Sequence, residues 1–369
     1  ENWENLTTIK DNLSMGLLKA LSTESKEEYR VQLNNTEAYE YYLKGRYKWE
    51  NAKNDLDIET AIELLNSAIS IDSLLIIARN QLGYIYQLNG DLDNSFQIFK
   101  DALKYAKIIN DFSGIALSLK NIAWVYFNRN ELDEALKYFK QSYNISKKLG
   151  DKSQVTYSHN RFGKIYSRKG NYNKSIDHYN KSLPIFVKMK NAHGLFLTKH
   201  LLGIAYYDKG SYRTAINYFN ESLIHVKEIG FNIGVANNHN ILGLVYFQTK
   251  QYKEALQHLD KAYKIRKMIG ASKRSLLYTS ILLVLINKCL KYQYDVENIR
   301  TLIKEIKDIE FEFNYLLFQL LEDTSYLETA YNQIQTMADN LEPDVKAKFL
   351  IYLIHKAIVE VWEKVGPNK

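Results

Sequence analysis

Cysteine is almost missing: Cys289 stands alone in 369 residues. No disulfide framework can form within one chain, and a lone thiol of this kind reads as a buried apolar side chain. Proline is as scarce, at three, so almost nothing interrupts helix; Pro184 is expected to remove a backbone bond and kink the last turns around it. No long apolar run is present. The longest lies near Ile281–Ile286, far short of the roughly 20 residues needed to cross a bilayer, so no membrane insertion is expected. The chain opens Glu1-Asn2-Trp3, with neither an initiator Met nor a signal peptide, as an excised segment would; the expected compartment is the cytoplasm, or outside it if a membrane segment lies upstream.

Chemistry-bearing motifs are missing too. There is no GxGxxG or GxxxxGK[ST] phosphate cradle, no nucleophile elbow, and no HExxH or Cys/His cluster. His159, His200 and His239 fall at nearby places in successive units and could approach one another, but no carboxylate or Cys recurs beside them. The expectation is therefore no catalytic residue, no cofactor and no metal. The balance of 49 Lys and Arg against 42 Asp and Glu leaves +7. Lysines such as Lys137, Lys140, Lys261 and Lys264 could follow a phosphate backbone, yet acids are interspersed throughout, and a solvated outer face is the simpler reading: no nucleic acid.

What the chain does have is a period. Leu82-Gly83, Ile122-Ala123, Phe162-Gly163, Leu202-Gly203 and Leu242-Gly243 are spaced by 40 residues. Three residues after each pair comes Tyr86, Tyr126, Tyr166, Tyr206 or Tyr246. Twelve after the Gly or Ala comes a small residue (Ser95, Ala135, Ser175, Ala215, Ala255), four further a bulky one (Phe99, Phe139, Tyr179, Phe219, Leu259), and three further a small one again (Ala102, Ser142, Ser182, Ser222, Ala262). Such a period marks stacked supersecondary units. Each unit splits into two amphipathic stretches, A and B. Gly inside a helix is about 1 kcal/mol worse than Ala, so its recurrence implies close approach of A to B, with the aromatics filling the seam. Gly90, Gly170 and Gly210 between the stretches suit a left-handed helix end, and Asp91, Asn171 and Ser211 suit the next N-cap. Helix B is expected to be the longer, ending near Gly150, Gly230 and Gly270.

The set Leu-Gly-x-x-Tyr, small, Phe/Tyr, small resembles the tetratricopeptide repeat (TPR), in the longer variety seen in kinesin light chains and bacterial peptide-sensing regulators. An earlier unit with Trp49, Ala61, Leu65 and Ala68 resembles the 34-residue form, and a weaker one continues through Leu282-Leu283, Ile286, Ile299 and Leu302. The resemblance implies an all-α, right-handed TPR superhelical solenoid over 36–305, with 34- then 40-residue repeats. A helical lead-in occupies 1–35, with a helix at Leu6–Leu21. An acidic helical cap occupies 306–369, with helices at Phe313–Leu321, Tyr326–Leu341 and, after Pro343, Val345–Val365. Asn35–Tyr47 (NTEAYEYYLKGRY) is similar to the entry into the TPR half of bacterial class III adenylate/guanylate cyclases, which implies a regulatory tail rather than a cyclase.

In TPR proteins the A helices line a concave groove. By that resemblance, the groove candidates three before the Gly/Ala are Asn80, Lys120, Asn160, His200 and Asn240. One after it come Tyr84, Trp124 and Lys164; four after it, Phe127, Tyr207 and Phe247; six before it, Tyr157. An Asn ladder donates and accepts at once and could pair with an extended peptide backbone. Trp124, Phe127, Tyr157, Tyr207 and Phe247 would wall it. Lys120, Lys164 and Arg161 would favour an acidic residue or a C-terminal carboxylate. The carboxylate clamp of chaperone-binding TPRs is not reproduced.

From Asp308 to Asp344 there are nine acids and no Lys or Arg; this stretch could meet a basic surface on a partner or a sister chain. The expected function is a non-catalytic peptide- or protein-binding scaffold, the docking portion of a larger bacterial signalling protein. The alternatives are a stand-alone peptide-pheromone-sensing regulator and a structural scaffold that self-associates through its acidic cap.

Overall fold

Seventeen-residue helices separated by three-residue turns make up the middle of the chain. A computed structural model describes residues 35–366 except 53, 307–308, 340, 342 and 351–352; the expected helix at Leu6–Leu21 lies outside the described residues. In chain order the helices are α1 (Thr36–Glu50), α2 (Asp55–Ile71), α3 (Ile76–Leu88), α4 (Leu92–Ile108), α5 (Phe112–Asn128), α6 (Leu132–Lys148), α7 (Lys152–Arg168), α8 (Tyr172–Lys188) and α9 (Ala192–Asp208). They continue as α10 (Tyr212–Glu228), α11 (Asn232–Gln248), α12 (Tyr252–Met268), α13 (Lys273–Leu290), α14 (Glu297–Lys304), α15 (Phe311–Leu321), α16 (Thr324–Asp339), α17 (Pro343–Leu350) and α18 (Leu353–Val365). No strand occurs among the described residues. The architecture is the all-α solenoid of helix pairs expected.

The even spacing has a local cause. Gly90, Asn110, Asn130, Gly150, Gly170, Lys190, Gly210, Gly230, Lys250 and Gly270, one every 20 residues, all take positive φ. Each ends a helix by the same device: the following N–H reaches back five residues, as Asn171 does to Tyr166 O at 2.8 Å, closing the orphan carbonyls. Because the A-to-B and B-to-A turns are built alike, A and B are equal in length, 17 residues each in α7 and α8. The expectation of a longer B helix is corrected on that ground. Asp91, Asp111, Asp151, Asn171 and Asn191 cap the next helix by accepting its N3 amide. Helix α8 runs through Pro184 to Lys188.

Within each pair the predicted seam is present. Phe99, Phe139, Tyr179, Phe219 and Leu259 are almost fully buried, each contributing about 1.5–3 kcal/mol by removal from water. A Cβ added at Gly83 would stand 2.6 Å from the Phe99 ring, and one at Gly203 2.6 Å from the Phe219 ring, so hydrogen is the only side chain that fits. Each A helix packs mainly on its B, and each B on the next A; A helices also touch the following A, as α3 does α5 and α7 does α9. That closer approach bends the stack so that the A helices line its inner face.

At the C-terminal end α13 carries the core onto α14, α15 and α16 through Leu282, Leu285, Ile286, Ile299, Leu316 and Leu320. The last expected helix is two, α17 and α18, which pack on α16 through Phe349 and Ile358. Cys289 is exposed rather than buried, because Leu285 and Ile286 take the inward positions of that turn of α13. The acids of this end are partly matched within the chain: Arg274 pairs with Glu310, Lys273 with Glu305 at 3.1 Å and Lys288 with Glu322 at 2.7 Å.

Candidate functional site

The concave face begins with a correction. Asn80, Asn160 and Asn240 are buried to 4%, 3% and 2% exposure and do not open into the groove. Asn80 donates to Ile76 O at 3.0 Å and Ser118 Oγ at 3.1 Å, and accepts from Asn121 at 2.8 Å. Asn160 donates to Thr198 Oγ1 at 2.9 Å and accepts from Ser182 at 2.7 Å. Asn240 accepts from Arg266 at 3.0 Å and Thr279 at 2.8 Å. The physical reason is register: the position three before the Gly faces the next A helix, where a Ser or Thr waits 38 or 39 residues on. These amides hold successive repeats together, and their burial keeps them from a guest. His200 follows the same rule, donating from Nδ1 to Asn238 Oδ1 at 3.1 Å. Nor do His159, His200 and His239 converge; each has a different partner, and no group of three or more metal-ligating side chains occurs among the described residues.

Lys120 is the exception in that row. It replaces the amide with an ammonium, half-buried, and Arg161 lies near enough for mutual repulsion. Burial first and Arg161 second push the Lys120 ammonium down to about 8. Burial likewise holds Arg161 down to about 10, and burial with Arg168 behind it lowers Lys164. These side chains still touch water, but the hollow of the stack surrounds them with protein and starves them of solvation. Among the described residues none of the three makes a salt bridge to a carboxylate, although the Asp151 charge acts on Arg161 against the effect of burial: Arg161 donates to Ser158 Oγ at 3.1 Å and Gln154 Oε1 at 2.8 Å, and Lys164 sits 5.1 Å over the Trp124 ring.

The aromatic candidates divide. Trp124 meets Phe127 and Phe139 edge-on at 5.3 and 5.1 Å, and Arg168 covers Phe127 at 5.2 Å, so α5 and α7 present alternating rings and cations worth about 0.5–1 kcal/mol per contact. Tyr157 packs on Phe186 at 4.8 Å, with its hydroxyl 3.1 Å from His193 Nδ1. Tyr84 is exposed near the N-terminal end, edge-on to Trp49 at 5.5 Å. Tyr207 and Phe247 lie further along, against Tyr212 and Tyr252.

Sequence reasoning missed the other half of the hollow. Asp208, at the end of α9, and Glu312, at the start of α15, are each pushed up to about 7 by burial, and the Arg168 charge opposes that shift at both. Tyr207 and Tyr278 are raised by burial beside them. Arg168 thus lies within electrostatic reach of carboxylates from α9 and from α15. Asp208 was legible in principle, since it lies one residue after Tyr207 on the same inner face; Glu312 was not, because it lies outside the repeat. The hollow is cationic along α5 and α7, and α9 and α15 each bring a buried carboxylate, Asp208 and Glu312.

Comparison with known proteins follows the geometry. The tetratricopeptide repeat family matches residues 74–148, 154–223 and 194–268, together more than half of the chain. No curated protein sequence matches. Among solved structures, the chain is similar to a Rap protein complexed with competence and sporulation factor (15% identity over 97% of this chain and 94% of that one, TM-score 0.59). It is similar to aspartyl phosphate phosphatase F from Bacillus subtilis (14%, 96% and 88%, TM-score 0.55). It also resembles a signal transduction ATPase with a tetratricopeptide repeat sensor from Pyrococcus horikoshii (16%, 91% and 55%, TM-score 0.53). At these identities the likeness is one of fold.

Proposed function

The chain belongs to the tetratricopeptide repeat family, and on that premise we propose that it is a non-catalytic scaffold holding an extended peptide or protein segment in its concave hollow. The bound segment offers an acidic side chain or a free C-terminal carboxylate to Lys120, Arg161 and Lys164. One observation carries this: three desolvated cations, none in a salt bridge among the described residues, share a floor with Trp124 and Phe127. Leaving such charges uncompensated in a poorly hydrated hollow is costly, and a ligand carboxylate relieves it while the rings select its neighbours. The reading involves no nucleic acid, since outer lysines pair with acids of their own helix, as Lys264 does with Asp260 at 2.7 Å. No described helix is long and apolar enough to cross a membrane; we place the protein in the cytoplasm.

The chain is further proposed to be the docking or regulatory part of a larger bacterial signalling protein, on the similarity of Asn35–Tyr47 to the entry of cyclase TPR regions. A second reading, a peptide-sensing regulator, is favoured by the likeness to Rap proteins along nearly the whole chain, one of which was solved with competence and sporulation factor. Self-association through the acidic end has less support, because Glu305, Glu310 and Glu322 already pair within the chain. The test is selection from a random peptide library displayed with free C-termini. Enrichment of carboxylate-bearing sequences, lost on amidation, supports the proposal. Failure to enrich any peptide rejects it.

A further inference from the structure

Two histidine pairs occupy identical places two repeats apart. His159 Nδ1 lies 3.3 Å from His178 Nδ1, joining α7 to α8; His239 Nδ1 lies 3.0 Å from His258 Nδ1, joining α11 to α12. The second pair is the first translated by 80 residues of sequence. In each, the B-helix histidine also packs on the tyrosine that recurs in every repeat: Tyr166 stacks on His178 at 5.4 Å, and Tyr246 meets His258 at 5.4 Å with the rings tilted. In the alternate repeats that B-helix position is Tyr138 or Tyr218, stacked on Tyr126 and Tyr206 at 5.2 and 5.5 Å. The first unit carries Ile98 there, packed in one cluster with Tyr86, so a ring is common but not required at this position, and histidine is present only where a second histidine faces it. The first pair borders a cleft of about 300 Å³ that opens between the B helices α6 and α8, lined also by Tyr143, Phe162 and Tyr166.

We propose that each pair is a two-imidazole chelate for a nitrogen-preferring transition cation of the zinc, copper, nickel or cobalt class. The geometry fits. Two imidazole nitrogens at about 2.0–2.1 Å from a tetrahedral ion stand roughly 3.3 Å apart, and a right-angled arrangement brings them to about 2.9 Å. The bare pair needs a hydrogen on one Nδ1 to bridge to the other. A metal replaces that hydrogen: both rings take the Nε2–H tautomer, both Nδ1 lone pairs point at the ion, and water completes the coordination.

The surroundings narrow the class of ion. Lys181 acts on the first pair, opposed by the Asp177 charge, and Lys227 and Lys261 act on the second, so charge alone gives a cation little hold at either. No carboxylate completes either site among the described residues, which excludes the oxygen-seeking Mg²⁺ and Ca²⁺. Bound metal joins each A helix to its own B helix, independently of any peptide in the hollow.

The chain itself supplies the control substitution. His178→Tyr and His258→Tyr reproduce the natural Tyr138 and Tyr218, keep the ring stack and remove the chelate. Tag-free full chain is titrated with Co²⁺, followed by its ligand-field absorption, and with Zn²⁺, followed by the melting temperature. Wild type binds two equivalents of Co²⁺, either single variant one, and the double variant none; Zn²⁺ raises the melting temperature of wild type and not of the double variant, and Mg²⁺ changes neither. Circular dichroism verifies helix content in each. No uptake by wild type, or two equivalents still bound by the folded double variant, overturns the proposal.

Discussion

Asn160 on α7 and Thr198 on α9, 38 residues apart in sequence, are joined by a 2.9 Å hydrogen bond from the amide to the hydroxyl. With the 2.7 Å bond from Ser182 to the same amide, three helices of two repeats meet at one buried group. Asn160→Ala leaves both hydroxyls with weakened pairing in the interior, a loss of about 1–3 kcal/mol. The expected result is a lower urea midpoint with unchanged helix content and, while the protein stays folded, unchanged ligand affinity. A stable variant with weakened binding would contradict the placement of Asn160 in the seam.

Gly203→Ala sets two effects against each other. Alanine improves helix propensity by up to about 1 kcal/mol, but its Cβ would stand 2.6 Å from the Phe219 ring, and overpacking a closed core costs about 1–3 kcal/mol. Packing wins: the variant is expected to be less stable than wild type by urea denaturation. Alanine is native at the equivalent Ala123, over Phe139, where the local packing is already set for it.

Asp208 makes stability depend on pH in an unusual direction. Burial pushes its carboxyl up to about 7, while in the unfolded chain it titrates near about 3.9. Between those values the folded state holds the proton more tightly, so this group's contribution to stability falls as pH rises from about 4 to about 7. Asp208→Asn removes that dependence. Relative to wild type the variant is expected to melt higher at pH 8 and alike below pH 4, measured by thermal denaturation across the range. An equal melting temperature at pH 8 would show that the carboxylate is solvated or paired there.

The repeat, its seam and most of its turns were legible in the sequence because one physical requirement, close packing of A on B, recurs at fixed spacing through Gly83, Gly163, Gly203 and Gly243. The groove was legible only in part. Asn80, Asn160 and Asn240 look like ligand-facing polar residues when one repeat is read alone; their partners, Ser118, Thr198 and Thr279, belong to the next repeat, and only the register between repeats shows that the amides are already satisfied. At Lys120 the hydroxyl 38 residues on belongs to Ser158, which already donates to Gln154 O at 2.7 Å and accepts from Arg161 at 3.1 Å, and Lys120 is left available. Glu312 and Tyr278 enter the hollow through the bend of the stack, a long-range property that no local pattern encodes. The histidine pairs were hidden for a similar reason: His159 was compared with other A helices, whereas its partner His178 lies on its own B helix.

The most direct test of the account compares two sets of folded variants against one carboxylate-bearing peptide taken from the library selection, by isothermal titration at pH 7. Lys120→Met and Lys164→Met lie on the inner floor and are each expected to weaken binding about tenfold or more, the loss of one charge-assisted contact of about 1.5–3 kcal/mol, while Asn160→Ala retains wild-type affinity. Undiminished binding by the two lysine variants, or a loss confined to Asn160→Ala, would contradict it.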